Sequence, residues 1–346
     1  MAKRNLNRRQ QWRIQKIQQE RLARAKKKQG HLADSLNNLE AIQYHALVIS
    51  HFGTTLDIED RESGEIVRCA LRQNIEPIVC GDHVVWQHIK NLPSGEQIQG
   101  VVTALEKRSN VLARPDFTGQ MKPVAANIDQ ILIVTSPIPE LNEGLVDRYL
   151  VAAELSGITA VLVLNKVDIL SAQQKASLQQ RINVYQNIGY SFIFTSARTQ
   201  HGLDSLYQQL SEKISVFVGQ SGVGKSSLIN ALLPDARIKE GNVSEATNKG
   251  IHTTSVSRLY HLENSPVVSS ASVIDSPGVR EFGLWNIDKN DVIHGFVELQ
   301  KYAQHCRFRD CKHFNEPDCG VLNAVREDKI SQQRFESYHR IINSLN

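Results

Sequence analysis

Gly219-Gln220-Ser221-Gly222-Val223-Gly224-Lys225-Ser226 spells G-x4-G-K-S. Glycines let a backbone wrap so that several N–H groups face one anion. The terminal lysine and hydroxyl add a cation and a Mg²⁺ ligand. The chemistry is phosphate binding. Lys225 would reach the β and γ phosphates of a nucleoside triphosphate, and Ser226 would ligate Mg²⁺. Ser227 extends the loop into an apolar pattern, Leu228, Ile229, Ala231 and Leu232, that suits the following helix. That helix start adds partial positive charge toward the phosphates. The apolar run Ile214–Val218 directly before the loop completes the strand–loop–helix context the motif requires.

Asn165-Lys166-Val167-Asp168 carries a second chemistry, at the end of the apolar run Ala160–Leu164. The Asp168 carboxylate can accept from both the ring N–H and the exocyclic amine of guanine, a pattern adenine does not offer. Sites built on such paired bonds discriminate by roughly four to five orders of magnitude. The Lys166 stem would lie over the purine face, and Asn165 would tie the base corner to the phosphate loop. Thr195-Ser196-Ala197 follows another apolar run, and the backbone at Ser196 and Ala197 would meet the guanine carbonyl oxygen. The GTP-binding set is therefore Asn165, Lys166, Asp168, Ser196, Ala197 and residues Gly219, Gln220, Ser221, Gly222, Val223, Gly224, Lys225, Ser226 and Ser227. The base motif precedes the phosphate loop, the reverse of an ordinary GTPase domain. The order implies a GTPase domain cut and rejoined at new ends.

Asp275-Ser276-Pro277-Gly278 follows an apolar run ending at Ile274. Asp275 would hold Mg²⁺ through water, and the Gly278 N–H would sense the γ-phosphate. The polar segment 235–254 includes Gly250-Ile251-His252-Thr253-Thr254 and reads as a switch ordered by γ-phosphate and Mg²⁺. Thr253 or Thr254 would ligate Mg²⁺, with Thr253 preferred. Val279 stands where Ras-like enzymes place the glutamine that orients the attacking water, and valine cannot do so. The catalytic set is therefore Lys225, Thr253 and His252, with His252 positioning the water once a partner orders its loop. The plain alternative is a surface histidine.

Cys306-x4-Cys311-x-His313-x5-Cys319 places four metal ligands within fourteen residues. Three thiolates and one imidazole suit a closed tetrahedral Zn²⁺ site with a structural role. Cys69 and Cys80 lie apart from this cluster and read as core or surface thiols. Five sparse cysteines in a chain without a secretory pattern argue against a disulfide framework.

The elements that must position these groups follow from periodicity. Residues 1–28 carry eleven Lys or Arg and one acid, Glu20, whereas the rest carries 29 basic and 35 acidic groups. A flexible basic tail over 1–35, with Trp12 able to stack on a base, points to a polyanion such as RNA; a solvated tail is the plain alternative. Five short alternating runs, His45–Ser50, Thr54–Ile58, Glu65–Leu71, His83–Gln87 and Gln97–Leu105, predict a small β-barrel over 36–115. We read it as OB-like, an SH3-like barrel being the alternative. Continuous apolar runs alternating with helical patterns (Leu145–Leu155, Gln174–Gly189) predict a mostly parallel sheet over 116–284. Ser255–Leu262 and Val267–Ile274 read as a strand pair. Beyond Ile287, two helical patterns flank the Cys/His cluster and make 285–346 a helical zinc-knuckle domain. The fold class is multidomain α/β. No apolar run is long enough to span a bilayer, and a soluble, cytoplasmic protein is expected; nothing in the sequence suggests more than a monomer.

These residues together resemble the ribosome small subunit-dependent GTPase family, RsgA or YjeQ. The resemblance extends to Gly81-Asp82-His83-Val84, Arg108-Ser109-Asn110-Val111-Leu112-Ala113-Arg114, Ala126-Asn127-Ile128-Asp129 and Asp275-Ser276-Pro277-Gly278-Val279-Arg280-Glu281-Phe282. It implies GTP hydrolysis that is slow alone and faster on the small ribosomal subunit, late in its assembly. Barrel, knuckle and tail would bind rRNA, and the histidine of G-x-H-T-T, here His252, would be catalytic. The competing expectations are a regulatory GTPase with a protein target and a non-catalytic RNA-binding scaffold.

Overall fold

Alternating burial along Thr55–Asp60 is what a half-buried strand demands: Leu56, Ile58 and Asp60 point inward and their neighbours outward. The computed structural model describes residues 42–72, 75–90, 97–116, 118–233, 257–262, 270–276, 283 and 287–345. Two compact units emerge, one comprising residues up to Leu47 with Phe52–Glu76 and His83–Glu106, the other Val48–His51, Pro77–Asp82 and everything from Lys107.

The first unit holds the barrel strands: β1 (Tyr44–His51, its first half), β2 (Thr55–Asp60), β3 (Ile66–Leu71), β4 (His83–His88) and β5 (Gly100–Leu105). Their order is β1-β2-β3-β5-β4, and β1 closes on β4 through Tyr44↔Trp86 to Leu47↔His83. The parallel β3–β5 pair and the β1–β4 closure make this an OB-like barrel rather than an SH3-like one. Trp86 fills the interior, and its indole N–H donates to Asp60 at 3.1 Å. Gly100 leaves room for it, since a Cβ there would stand 2.6 Å from the Trp86 ring and 2.8 Å from Cys69 Sγ. β5 begins at Gly100, three residues after the start of the expected run at Gln97. Cys69 is fully buried, and burial pushes its thiol well up, as expected of an inert core thiol.

In the second unit, the hairpin β6 (Val111–Pro115) and β7 (Met121–Ala126) precedes a six-strand sheet. That sheet contains β8 (Gln130–Thr135), β9 (Thr159–Leu164), β10 (Ser191–Phe194), β11 (Ile214–Val218), β12 (Arg258–His261) and β13 (Ser272–Asp275). The order β10-β9-β8-β11-β13-β12 is parallel except for the antiparallel β12–β13 pair. Helices α1 (Glu143–Leu155), α2 (Ala172–Ile188), α3 (Leu203–Leu210) and α4 (Lys225–Leu232) connect the strands. Leu206 and Leu210 of α3 and Leu228 and Leu232 of α4 join Leu132, Val134, Phe217 and Val273 in one buried cluster. Strands β8, β9 and β10 step outward to one side, whereas β11 and β13 step to the other. The direction reverses between β8 and β11, and ligands of open α/β sheets bind beyond the carboxyl ends of strands at such a switch point.

The motif residues that carry the family resemblance meet in one seam of this unit. Arg108 forks onto the buried Asp82 carboxylate with two 2.7 Å bonds. Asn127 donates to Gly81 O at 2.8 Å and accepts the Ser109 N–H at 2.8 Å. Asn110 brackets the Ile128 peptide, accepting its N–H and donating to its carbonyl. Gly81 is obligatory: its φ is +87°, and a Cβ would lie 2.2 Å from Ala126 O. Cys80 is buried here and donates to Ile49 O, and burial pushes its thiol up to about 12.

After Ile287 the expected first helix divides. Val292–Gly295 is a 3-10 turn, and α5 (Val297–Ala303) follows. Gly295 packs so closely on α1 that a Cβ would stand 2.5 Å from Val151. A short helix that periodicity did not suggest, α6 (Gly320–Arg326), precedes α7 (Gln332–Ser344). Among the described residues no helix is long and apolar enough to cross a membrane.

Candidate functional site

The phosphate loop leaves β11 and enters α4 with Gly219, Gly222 and Gly224 at φ +138°, +84° and +94°. Two of these positions exclude any side chain. A Cβ on Gly219 would lie 2.2 Å from Val134 O, and one on Gly224 would lie 2.4 Å from Asn165 Nδ2. The second collision shows how the separated motifs meet. Asn165 is buried, and its amide donates to Val223 O at 3.0 Å. Its side-chain oxygen accepts from the Ala197 N–H at 3.3 Å and from Thr195 Oγ1 at 3.4 Å. One side chain thus spans the phosphate loop and both base loops. Lys166 adds a second tie, its ammonium donating to Gly222 O at 2.6 Å and Ile138 O at 2.8 Å. Lys166 itself sits at φ +61°, so the corner turns sharply out of β9.

Asp168 is held from the neighbouring loop. Ser196 Oγ donates to Oδ1 at 2.6 Å, and Arg198 lies 2.8 Å from Oδ2. The Ser196 hydrogen bond, aided by the Arg198 charge, keeps this carboxyl below its ordinary range. It is therefore an ionised acceptor at neutral pH. Lys225 Nζ donates to Gly219 O at 2.7 Å and Gln220 O at 2.8 Å, which places its charge over the loop. Asp275 ends β13, whose register with β11 pairs Val216 with Ile274, so its backbone lies beside the phosphate loop's strand. Ser226 and Ser227 open α4. His252, Thr253 and Gly278 lie outside the described residues, as does the tail 1–35.

Sequence reasoning missed three contributors. Arg198 belongs to no motif. Ile138 supplies only a carbonyl, which any residue could. Tyr149 of α1 engages the Gly219 backbone, and burial raises its phenol. Its position in a buried helix stripe is the only signal that could have singled it out.

Cys306, Cys311, His313 and Cys319 present ligand atoms that all lie within 4.8 Å of one another. Cys306 Sγ is 3.7 Å from Cys319 Sγ and 3.5 Å from His313 Nδ1, and His313 Nδ1 is 3.4 Å from Cys319 Sγ. Tetrahedral ligation with metal–sulfur bonds near 2.3 Å needs sulfur separations of about 3.8 Å, so this geometry fits a metal ion. Burial pushes the Cys311 thiol up to about 12 and holds the His313 imidazole below its usual range. A bound cation reverses the thiol shift, while the neutral imidazole is already the ligating form. Glu316 shapes the loop by accepting the N–H groups of Lys312, Phe314 and Asn315 at 2.8, 2.8 and 3.1 Å. Cys319 also caps α6, its sulfur accepting the Leu322 N–H. Tyr302 O and the His305 side chain approach so closely that only glycine fits at Gly320.

Comparison with known proteins agrees with this construction. The model of the RsgA GTPase family matches residues 105–285. A small ribosomal subunit biogenesis GTPase RsgA from Ectopseudomonas mendocina is 46% identical, covering 100% of this chain and 98% of that protein. Its namesake from Hahella chejuensis is 47% identical over 100% of this chain and 97% of its own length. Among solved structures, YjeQ from Thermotoga maritima superimposes with TM-score 0.70 at 30% identity, covering 88% of this chain and 99% of YjeQ. The circularly permuted GTPase YloQ gives 0.69 at 24% identity over 88% and 96% of the two chains, which speaks for the fold alone. With a base corner and phosphate loop joined through Asn165 in permuted order, a fitting Cys3His cluster and this full-length similarity, the chain belongs to the RsgA GTPase family.

Proposed function

We propose that this protein hydrolyses GTP as a late assembly factor of the small ribosomal subunit, and that the subunit stimulates its turnover. The observation that carries the nucleotide reading is Asn165, whose single side chain, from the first base loop, bonds the phosphate loop and the second base loop. The relatives' names supply the subunit. In this reading Asp168 reads guanine, with Ser196 and Ala197 at its carbonyl edge. Residues Gly219 to Ser227 cradle the phosphates, and Lys225 offsets the β,γ charge. Ser226 and Thr253 would ligate Mg²⁺, Asp275 would hold it through water, and Gly278 would sense the γ-phosphate. His252 would position the attacking water. Zn²⁺ is the metal that three thiolates and one imidazole favour, and its role would be structural.

The RNA-facing surfaces in this reading are the barrel, the tail and the knuckle. At the knuckle, a groove of about 1020 Å³ is lined by Phe308, Arg309, Lys312 and Phe314 among others. Phe308 and Phe314 are exposed, and the Arg307 guanidinium stands 5.5 Å from the Phe308 ring. Exposed rings beside cations suit unpaired bases. We assign domains as before, 36–115, 116–284 and 285–346 after the tail, in a cytoplasmic monomer.

GTP turnover measured with and without purified small subunits tests this function. Marked stimulation is the expected result. Turnover indifferent to subunits would indicate a GTPase with another target, and no turnover would indicate a scaffold.

A further inference from the structure

Arg198 stands just beyond the second base loop and outside every motif. Its side chain is 77% exposed, yet its guanidinium lies 2.8 Å from Oδ2 of Asp168, whose side chain is only 10% exposed. The other carboxylate oxygen, Oδ1, accepts from Ser196 Oγ at 2.6 Å. That hydroxyl has its direction set, because it accepts the Thr199 N–H at 3.2 Å and has one proton to give. Loop 196–199 therefore grips Asp168 with two prongs, one on each oxygen. An ionised carboxylate offers about four acceptor positions, so each oxygen keeps one for a further donor. Guanine presents two parallel donors, its ring N–H and its exocyclic amine. A carboxylate free to rotate would meet them in many orientations; one clamped on both oxygens meets them in one.

We propose that Arg198 is a positioning residue for guanine selection, acting through Asp168. In this arrangement the base is read through the acceptor positions that Arg198 and Ser196 leave open. With Ser196, Arg198 fixes the carboxylate plane so that both remaining acceptor positions face the purine edge. The proposal rests on the reading of Asp168 as the base contact. Because the ion pair is exposed, the effect is modest and sensitive to salt: roughly two- to fivefold in affinity. The contribution belongs to ground-state binding of the base and leaves the chemical step unchanged.

The test is equilibrium binding of GDP and of inosine diphosphate, which lacks the exocyclic amine, to the full-length protein. Arg198→Ala, Arg198→Lys and Asp168→Asn are compared with the unsubstituted chain. Arg198→Ala is expected to weaken GDP roughly two- to fivefold and inosine diphosphate less. At about 1 M salt, where the Debye length falls to about 3 Å, the difference should shrink. Arg198→Lys should restore most of the loss, since a single nitrogen makes the contact, and kcat at saturating GTP should not change. Unaltered GDP binding by Arg198→Ala would overturn the proposal. So would equal weakening of both nucleotides, which would mean only a loosened loop. Asp168→Asn separates the two levels. If it keeps full preference for GDP, the base-contact reading fails and Arg198 falls with it; if it loses that preference while Arg198→Ala is silent, only the Arg198 role fails.

Discussion

At the residue scale the site depends on side chains whose atoms are spoken for in pairs. In the proposed reading Asp168 offers an acceptor to each guanine donor, and its replacement by Asn turns one acceptor into a donor. Asp168→Asn is expected to lower GTP affinity at least about a hundredfold, because two charge-assisted bonds are lost. Xanthosine triphosphate, whose edge offers an acceptor at that point, should then bind better than GTP in a competition assay. His252 carries the hydrolysis prediction. His252→Ala should abolish subunit-stimulated turnover while GDP affinity stays within about twofold, since positioning a water contributes to the transition state and not to ground-state binding. Stimulated turnover that survives the substitution would remove His252 from the mechanism. The phosphate loop and base corner were legible in the sequence because their chemistry imposes residue types: glycine where φ is positive, asparagine where two loops need donor and acceptor together. Arg198 was illegible because an exposed ion pair imposes no pattern.

At the element scale, the C-terminal helices are anchored by a charge cluster that no periodicity reveals. Arg334 of α7 is fully buried, and so is Asp147 of α1, 2.6 Å away. Glu298 of α5 takes two further bonds from the same guanidinium, and Tyr185 of α2 donates to Asp147 at 3.0 Å. The Phe296 ring stacks 4.3 Å from the Arg334 centre. Four elements thus converge on one cation. In sequence, Arg334 reads as an ordinary solvent-facing helix residue, and its partner Asp147 lies 187 positions away. Arg334→Met should cost about 3–5 kcal/mol, since two acids are left buried without a counter-charge. Adding Asp147→Asn should recover part of that loss in urea unfolding; no recovery would mean the arginine acts mainly by packing. The knuckle was readable because its ligands sit within a short span, where spacing alone constrains geometry. A metal held there would also steady α6, whose first turn is capped by Cys319. Chelation should therefore release four titratable ligand groups and lower far-UV helical signal. Unchanged helicity with metal removed would separate the ligand cluster from the fold of this module.

At the scale of the whole molecule, charge is segregated along the chain, with the surplus of Lys and Arg in the first 28 residues. Removing residues 1–35 should weaken affinity for small subunits and flatten its dependence on salt, because each phosphate contact contributes a released counterion. Intrinsic GTP turnover without subunits should stay the same. Equal salt slopes for the full and shortened chains would show that the tail touches no phosphate. The OB-like topology was only partly readable: the five runs were visible, but strand order is a long-range property that turn residues between neighbours do not specify. Gly100 beneath Trp86 shows the same limit, since its necessity comes from a ring fourteen positions away.

The rearranged succession of motifs also has a temporal side. Asn165 leaves the translating ribosome 58 residues ahead of Val223, its hydrogen-bond partner. A nascent chain that has reached Asp168 but not Gly219 has the 165–168 corner without the loop to which Asn165 bonds. Strand β11 pairs with β8, made before it, and with β13, made after it, so the sheet around the loop is completed only once Asp275 has emerged. The two halves of the candidate nucleotide site are therefore joined late in synthesis, and a copy that stops short of Gly219 lacks the phosphate loop altogether.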